Sequence, residues 1–227
     1  MIINNEKELL NLFVDNDDIR PNFQEPFLNA KYESEVWATD GHSLLIVNQE
    51  CLNGEYPSRE LTMPKLMDKN CTTIITQDAL NVALSECPQV DEEISIGEYK
   101  KCKECDGSGE VEWEYFDNKG SYHQRDFECP CCDGSGYSHK PITKKTGKKV
   151  PDEKAYVQVD TMIIKVAQMS KMLRAMELLG VDEVRHAITS EKEINLFIVN
   201  NDIKILIMPY KSEDISAIVK TRKGDQL

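Results

Sequence analysis

One eight-residue pattern occurs twice in this chain, at Cys102–Gly109 (C-K-E-C-D-G-S-G) and at Cys129–Gly136 (C-P-C-C-D-G-S-G). Few other features restrict a fold so tightly. Each copy is a C-x-x-C-x-G-x-G knuckle, and two knuckles supply the four thiolates of a tetrahedral metal site. Cys102, Cys105, Cys129 and Cys132 are therefore the candidate ligands of one zinc ion per chain. The glycines after each pair permit positive φ, which lets backbone N–H groups turn toward the sulfurs. Disulfides or a redox C-x-x-C fit the pattern less well. A redox pair needs no second copy and normally opens a helix, and disulfides belong to oxidising compartments. Rubredoxin-like iron stays open beside zinc, because sulfur ligands alone do not choose between them. Of the eight cysteines, Cys51, Cys71 and Cys87 sit in apolar surroundings and read as small core or strand residues. Cys131 lies between two ligands and competes with Cys132, but only Cys132 preserves the repeat.

At 227 residues the chain can hold one substantial domain and a small one. No apolar run is long enough to span a membrane. The first twenty residues lack a basic start followed by a long apolar core, so a cytoplasmic location is expected. The formal net charge of −13 argues against a surface that coats nucleic acid generally. That charge is unevenly placed, since residues 99–151 carry 10 basic against 9 acidic side chains. The stretch from Lys140 to Lys149 holds five lysines and no acid. It reads as a mobile basic loop, with a phosphate-contacting arm through Lys144, Lys145, Lys148 and Lys149 as the sharper alternative.

Between the knuckles, residues 111–116 and 121–127 alternate on either side of an Asn/Gly-containing turn, the signature of a β-hairpin. Its open end would bring the knuckles together. Residues 99–151 thus form a metal module too small to have a core without its ion. The flanking regions, 1–98 and 152–212, read as one interrupted α+β domain with largely antiparallel sheets, and 213–227 as a loose tail. Its expected elements begin with a short strand at Met1–Ile3. A helix capped by Asn5 and Glu8 follows, carrying Leu9, Leu10, Leu12, Phe13 and Val14 on its apolar side. Strands are expected at Pro26–Glu33 and at Glu35–Val47, the latter turning at Asp40-Gly41. A strand from Thr72 leads into a helix started by Thr76 or Asp78, and Ile94–Tyr99 and Ala155–Val159 are further strands. A third helix, Ile164–Leu179, presents a Met-rich core stripe and stops at Gly180. Strands at Glu183–Thr189, Ile194–Val199 and Ile203–Met208 close the domain.

Residues 37–45 (W-A-T-D-G-H-S-L-L) resemble the A-T-D-G-H-R-L strand-turn-strand segment of the bacterial sliding clamp, the β subunit of DNA polymerase III. The segment from Leu173 to Gly180 followed by Ile205–Lys211 (I-L-I-M-P-Y-K) is similar to the clamp's final half-domain, which ends in a Met-Pro strand. Asn53–Pro57 is similar to its D-G-R-F-P linker. The resemblance implies a clamp-like domain, with partner peptides received beside the Met-Pro strand and DNA-facing helices that carry Lys or Arg. Lys165, Lys171 and Arg174 on the third helix are the matching candidates. A clamp ring needs six such domains, so ring formation would require an oligomer. A clamp domain has two helices where three are expected here. The knuckles separately resemble the cysteine-rich region of DnaJ co-chaperones, which has four such repeats and two zinc ions. Two repeats imply one.

Two functions follow. One is a non-enzymatic, DNA-associated, clamp-like protein whose zinc module contacts nucleic acid or a replication partner. The other is a protein-interaction or chaperone-like module in which Trp113, Tyr115, Tyr122 and Phe127 hold a peptide or client. Beside those aromatics Lys119 and Arg125 favour base stacking, whereas Glu110, Glu112, Glu114 and Asp117 repel phosphate. An enzyme is not expected. There is no phosphate loop and no nucleophile with a base at recognisable spacing, and a four-cysteine site leaves no open coordination position. His42, next to Asp40, reads as part of a backbone-setting turn rather than as an acid or base.

Overall fold

The computed structural model describes every residue except 1, 17, 19, 33, 63–72, 98–99, 140–141, 189–193 and 225–227. The chain divides into two units, Met1–Val90 with Pro151–Leu227, and Asp91–Val150. Both are mixed assemblies of strands and turns, and the first also holds the helices α1 (Glu6–Asn11), α2 (Pro21–Gln24), α3 (Gln77–Glu86) and α4 (Val166–Leu179).

Among the described residues, nine strands of the first unit form one sheet in the order 222–223, 73–76, 183–188, 195–198, 203–207, 43–48, 35–39, 27–29, 58–59. Its pairs are antiparallel except the last, where Phe27–Asn29 runs parallel to Ser58–Arg59. The central strands are almost continuously apolar because both faces are covered. In Ser43–Asn48, Leu45 and Val47 join the main core, while Leu44 and Ile46 join a second cluster around Phe27, Trp37 and Leu206. The period-2 alternation of strand side chains thus feeds two cores at once.

The main core also receives Leu9 and Leu10 of α1, Leu80, Ala83 and Leu84 of α3, and the apolar stripe of α4. Val166, Met169, Met172, Met176 and Leu179 recur at helical spacing and are all buried. The helix stops at Gly180, whose φ of 63° is left-handed and lets the Val181 N–H reach the Met176 carbonyl. At the head of α3, Thr76 Oγ1 accepts from the Ala79 N–H at 3.2 Å.

Several expectations are corrected. Ile3 is buried and its N–H bonds the Cys51 carbonyl, but Met1–Ile3 is not a strand among the described residues. Asn5 occupies the N-cap of α1 without a side-chain bond, and Glu8 instead pairs with Arg174. The third expected helix starts at Val166 because Met162–Lys165 pairs, antiparallel, with Tyr156–Val159. Residues 217–223 of the expected loose tail are instead tied into the sheets. Ala217–Val219 adds a parallel strand to Tyr156–Val159, burying Ala217 and Val219, and Arg222–Lys223 pairs with Thr73–Thr76. The described part of the lysine-rich stretch lies in a strand, Ile142–Pro151, paired with Gln89–Ile96 rather than in a loop. Pro21–Gln24 adds a short helix where none was expected. The part of the strand expected at Thr72, the one at Thr189, and Cys71 lie outside the described residues.

One polar network crosses this core. His186 is buried, with its Nδ1 3.0 Å from Asp160 Oδ2 and its Nε2 3.0 Å from Asn195 Oδ1. The Asn195 amide donates to the Ile207 carbonyl, and Asp160 also accepts from Thr73 and Thr221. Three segments distant in sequence are thereby tied to one carboxylate, which sits at a left-handed φ of 52°. Partial burial raises the Asp160 pKa, but the hydrogen bonds from Thr221, Thr73 and His186 outweigh it and hold the carboxyl below its usual range. A carboxyl whose folded pKa is depressed contributes stability above its unfolded pKa and loses it as pH falls through the folded one. Asp160→Asn is therefore expected to lower stability at neutral pH and to flatten the decline from about pH 5 to about pH 3. Urea unfolding followed across that range checks both.

Candidate metal centre and its hairpin

The four candidate ligands come together. The sulfurs of Cys102, Cys105, Cys129 and Cys132 lie within 4.8 Å of one another, and all four side chains are buried. Cys102 and Cys129 are 3.8 Å apart, as are Cys105 and Cys132. A tetrahedron with metal–sulfur bonds of about 2.3 Å has edges of about 3.8 Å, so the cluster fits a metal ion of zinc's size. Four sulfur donors suit zinc and iron alike. Cys131 is exposed and outside the cluster. Cys51 and Cys87 are buried in the main core.

The repeat is explained residue by residue by a local two-fold relation between the knuckles. The Cys102 N–H donates to the Gly136 carbonyl and the Cys129 N–H to the Gly109 carbonyl, each at 2.8 Å. Gly109 donates to Cys105 Sγ and Gly136 to Cys132 Sγ, each at 3.3 Å. Asp106 and Asp133 take left-handed φ of 49° and 51°, a conformation Asp tolerates better than most residues. Ser108 and Ser135 donate their hydroxyls to the carbonyls of Cys105 and Cys132. Glycine is required at the crossing. A Cβ on Gly109 would stand 2.4 Å from the Gly134 oxygen, and one on Gly136 2.5 Å from that of Gly107.

These contacts divide the thiols. Burial pushes Cys105 up, but donors from Gly109 and Gly107 with its cysteine neighbours more than offset this and bring it down to about 7. Burial pushes Cys129 up to about 12. Four thiolates this close repel one another, and a divalent cation at their centre relieves that repulsion.

Between the knuckles, Glu110–Phe116 and Tyr122–Glu128 form the expected hairpin, in register from Glu110↔Glu128 to Phe116↔Tyr122. Asp117 organises its turn by accepting from the N–H groups of Lys119 and Ser121 and pairing with His123. Alternation gives the ribbon two unlike faces. One holds Val111, Trp113, Tyr115, His123, Arg125 and Phe127. The other holds Glu110, Glu112, Glu114, Gln124, Asp126 and Glu128, ending in Phe116 and Tyr122. Three of the four candidate partner residues, Trp113, Tyr115 and Phe127, share the first face and are about half exposed (54, 44 and 48 %). Tyr122 belongs to the other face, where its hydroxyl bonds Glu114 and its pKa is raised.

The basic candidates are largely committed within the chain. Lys145 and Lys149 both pair with Asp91, and Lys148 with Glu92. Asp91 responds to Lys145 and then Lys149, its carboxyl held down to about 2. Lys144 extends from the same strand, exposed. On α4, Lys171 bonds Asp40 at 2.6 Å and Arg174 pairs with Glu177 and Glu8. Lys165 stands at the N-cap of α4, in the other unit from Lys144, Lys145, Lys148 and Lys149 of the strand Ile142–Pro151. Apart from Arg174–Glu177, three residues apart, these pairings join residues about fifty or more positions apart and leave no local signal in the sequence.

The Asp40-Gly41 turn forms as expected. Asp40 accepts from the N–H groups of His42 and Ser43, and Lys171 locks its other oxygen. Although burial raises the Asp40 pKa, Lys171 and these donors bring it below the usual range. The turn, with Phe23, Leu206 and the exposed Met208, lines a cavity of about 160 Å³. Ile205 and Ile207 are buried strand residues.

Gly109→Ala is expected to abolish metal retention, because the clash falls on backbone. Gly120→Ala, at φ 78° with open space around it, is expected to cost about 1–2 kcal/mol and to retain metal. Metal analysis of both purified variants, with thermal unfolding, checks the difference.

No family model and no curated protein matches the chain. Solved structures similar to it include the β sliding clamp of Caulobacter crescentus, at 9 % identity and a TM-score of 0.40, over 91 % of this chain and 64 % of that one. The DNA polymerase III β subunit of Pseudomonas aeruginosa gives 10 % and 0.38, over 91 % and 65 %. The chain thus spans just under two thirds of the clamps it matches. Likeness at this level assigns no partner and no activity.

Proposed function

We propose that this chain is a non-enzymatic, sliding-clamp-like protein associated with DNA replication, in which one zinc ion braces a hairpin inserted at residues 99–151 that docks a protein partner. Cys102, Cys105, Cys129 and Cys132 hold the ion, which supplies a structural cross-link and no open coordination position. The resemblance of residues 37–45 and 205–211 to clamp segments supports the body of the reading, and that of the knuckles to the DnaJ region supports the module. A cytoplasmic, reducing setting keeps the thiols available.

The observation that carries the proposal is a metal-sized cluster of four sulfurs at the root of a ribbon with three half-exposed aromatic side chains on one face. Exposed aromatics on a rigid support are typical of binding surfaces. Protein is favoured over nucleic acid by charge. The hairpin is acidic, and Lys145, Lys148, Lys149, Lys171 and Arg174, five of the seven basic candidates, are paired internally, which weakens their claim on phosphate. The cavity beside Met208 supports a second docking place for an apolar peptide segment, as the clamp resemblance implies.

Photo-crosslinking from position 113, with a benzophenone amino acid replacing Trp113 in cells, tests the reading. Protein adducts are the expected result. Nucleic-acid adducts, or none, would overturn it.

A further inference from the structure

The outer edge of Glu110–Phe116 has an unusual property. Its residues alternate strictly, with Glu110, Glu112 and Glu114 on one face and Val111, Trp113 and Tyr115 on the other. Among the described residues, the two strands of this hairpin pair only with each other, so that edge has no neighbour. The acidic face sets like against like across the hairpin, Glu110 opposite Glu128 and Glu112 opposite Asp126. Like charges directly opposite destabilise a ribbon. Nothing within the hairpin relieves them.

We infer that the edge of Glu110–Phe116 accepts an added strand from a protein partner, and that the strand alternates apolar residues with lysine or arginine. The inference rests on the protein-docking reading above and specifies its chemistry. An added strand lies about 4.8 Å away and continues the pleat of its neighbour. Its apolar side chains would extend the face of Val111, Trp113 and Tyr115, and its cations would stand beside Glu110, Glu112 and Glu114. Charge complementarity then turns the cross-strand repulsion into attraction. The opposite edge, Tyr122–Glu128, is less suited, because its aromatic-face residues include His123 and Arg125. An all-apolar strand would leave the acids unrelieved, and an acidic strand would add to them.

Three synthetic peptides of about seven residues, matching the strand length, test this with the metal-loaded full chain. One alternates valine with lysine, one alternates valine with glutamate, and one holds the same valines and lysines in two blocks. Trp113 reports binding by a blue shift of its fluorescence, since the chain's other tryptophan, Trp37, is 2 % exposed. The alternating lysine peptide is expected to bind saturably, at least about tenfold more tightly than the other two. In the double variant Glu110→Lys with Glu112→Lys, the preference should pass to the glutamate peptide. That variant also relieves two like-charge pairs, so folding is not threatened. Equal binding of alternating and block peptides, no binding, or an unchanged preference in the variant overturns the inference. Protein crosslinks at position 113 without the peptide preference would leave the docking reading standing and sink the strand chemistry alone.

Discussion

On the reading proposed above, the hairpin of Glu110–Phe116 and Tyr122–Glu128 depends on four sulfurs sharing one cation. A two-stranded hairpin with both faces in water buries too little to hold itself together. Its strands are seven residues each, and the only buried hydrophobic cluster among the described residues of that unit is the four cysteines with Val111 beside them. In the proposed metal-bound state, the free energy that would come from an apolar core elsewhere comes from metal–thiolate bonds. The reciprocal bonds of Cys102 and Cys129 to Gly136 and Gly109 convert that point attachment into a rigid base. Rigidity at the base fixes the register of the hairpin, and register decides which side chains share a face.

The first unit solves the opposite problem. It has apolar surface in excess, buries it on both sides of one sheet, and stitches distant segments with polar contacts. Asp160 gathers Thr73, His186 and Thr221, while Asp40 is held by Lys171 across more than a hundred residues of sequence. Each contact uses up a charge that a sequence reading offers to a ligand. Arg174 is spent on Glu8 and Glu177, and three lysines of the strand Ile142–Pro151 on Asp91 and Glu92. These exposed pairs add little stability singly. Their consequence is electrostatic, since a paired cation contributes little counterion release on phosphate.

Local chemistry was legible and long-range chemistry was not. The knuckles, the hairpin between them, the Thr76 cap, the Gly180 stop and the Asp40-Gly41 turn are each written within a few consecutive residues, where spacing and side-chain type decide the outcome. The two-faced character of Glu110–Phe116 was equally available, because strict alternation is a local signal. What failed was set by partners remote in sequence. Ala217–Val219 looks like part of a polar tail until Tyr156–Val159 offers it an edge. Residues 142–151 look like a loop, with lysines and Gly147, until Gln89–Ile96 pairs with them. Asn5 had the right neighbour in Glu8, but Arg174 took that carboxylate.

A surface built on a metal rather than on a core has a further consequence. On the proposed reading, the aromatic face of the hairpin binds only while the strands keep their register, and the strands keep it only while the sulfurs are bridged. A partner that binds the ordered hairpin and not the disordered one therefore stabilises the metal-bound state by mass action. Linkage is reciprocal, so the partner tightens metal binding by the same factor that metal tightens partner binding. The paired acids push in the same direction. Glu110 against Glu128 and Glu112 against Asp126 weaken the free hairpin, and the inferred strand with its cations would relieve them. The proposed metal, the order of the hairpin and the inferred partner would thus be coupled through residues that never leave one short ribbon.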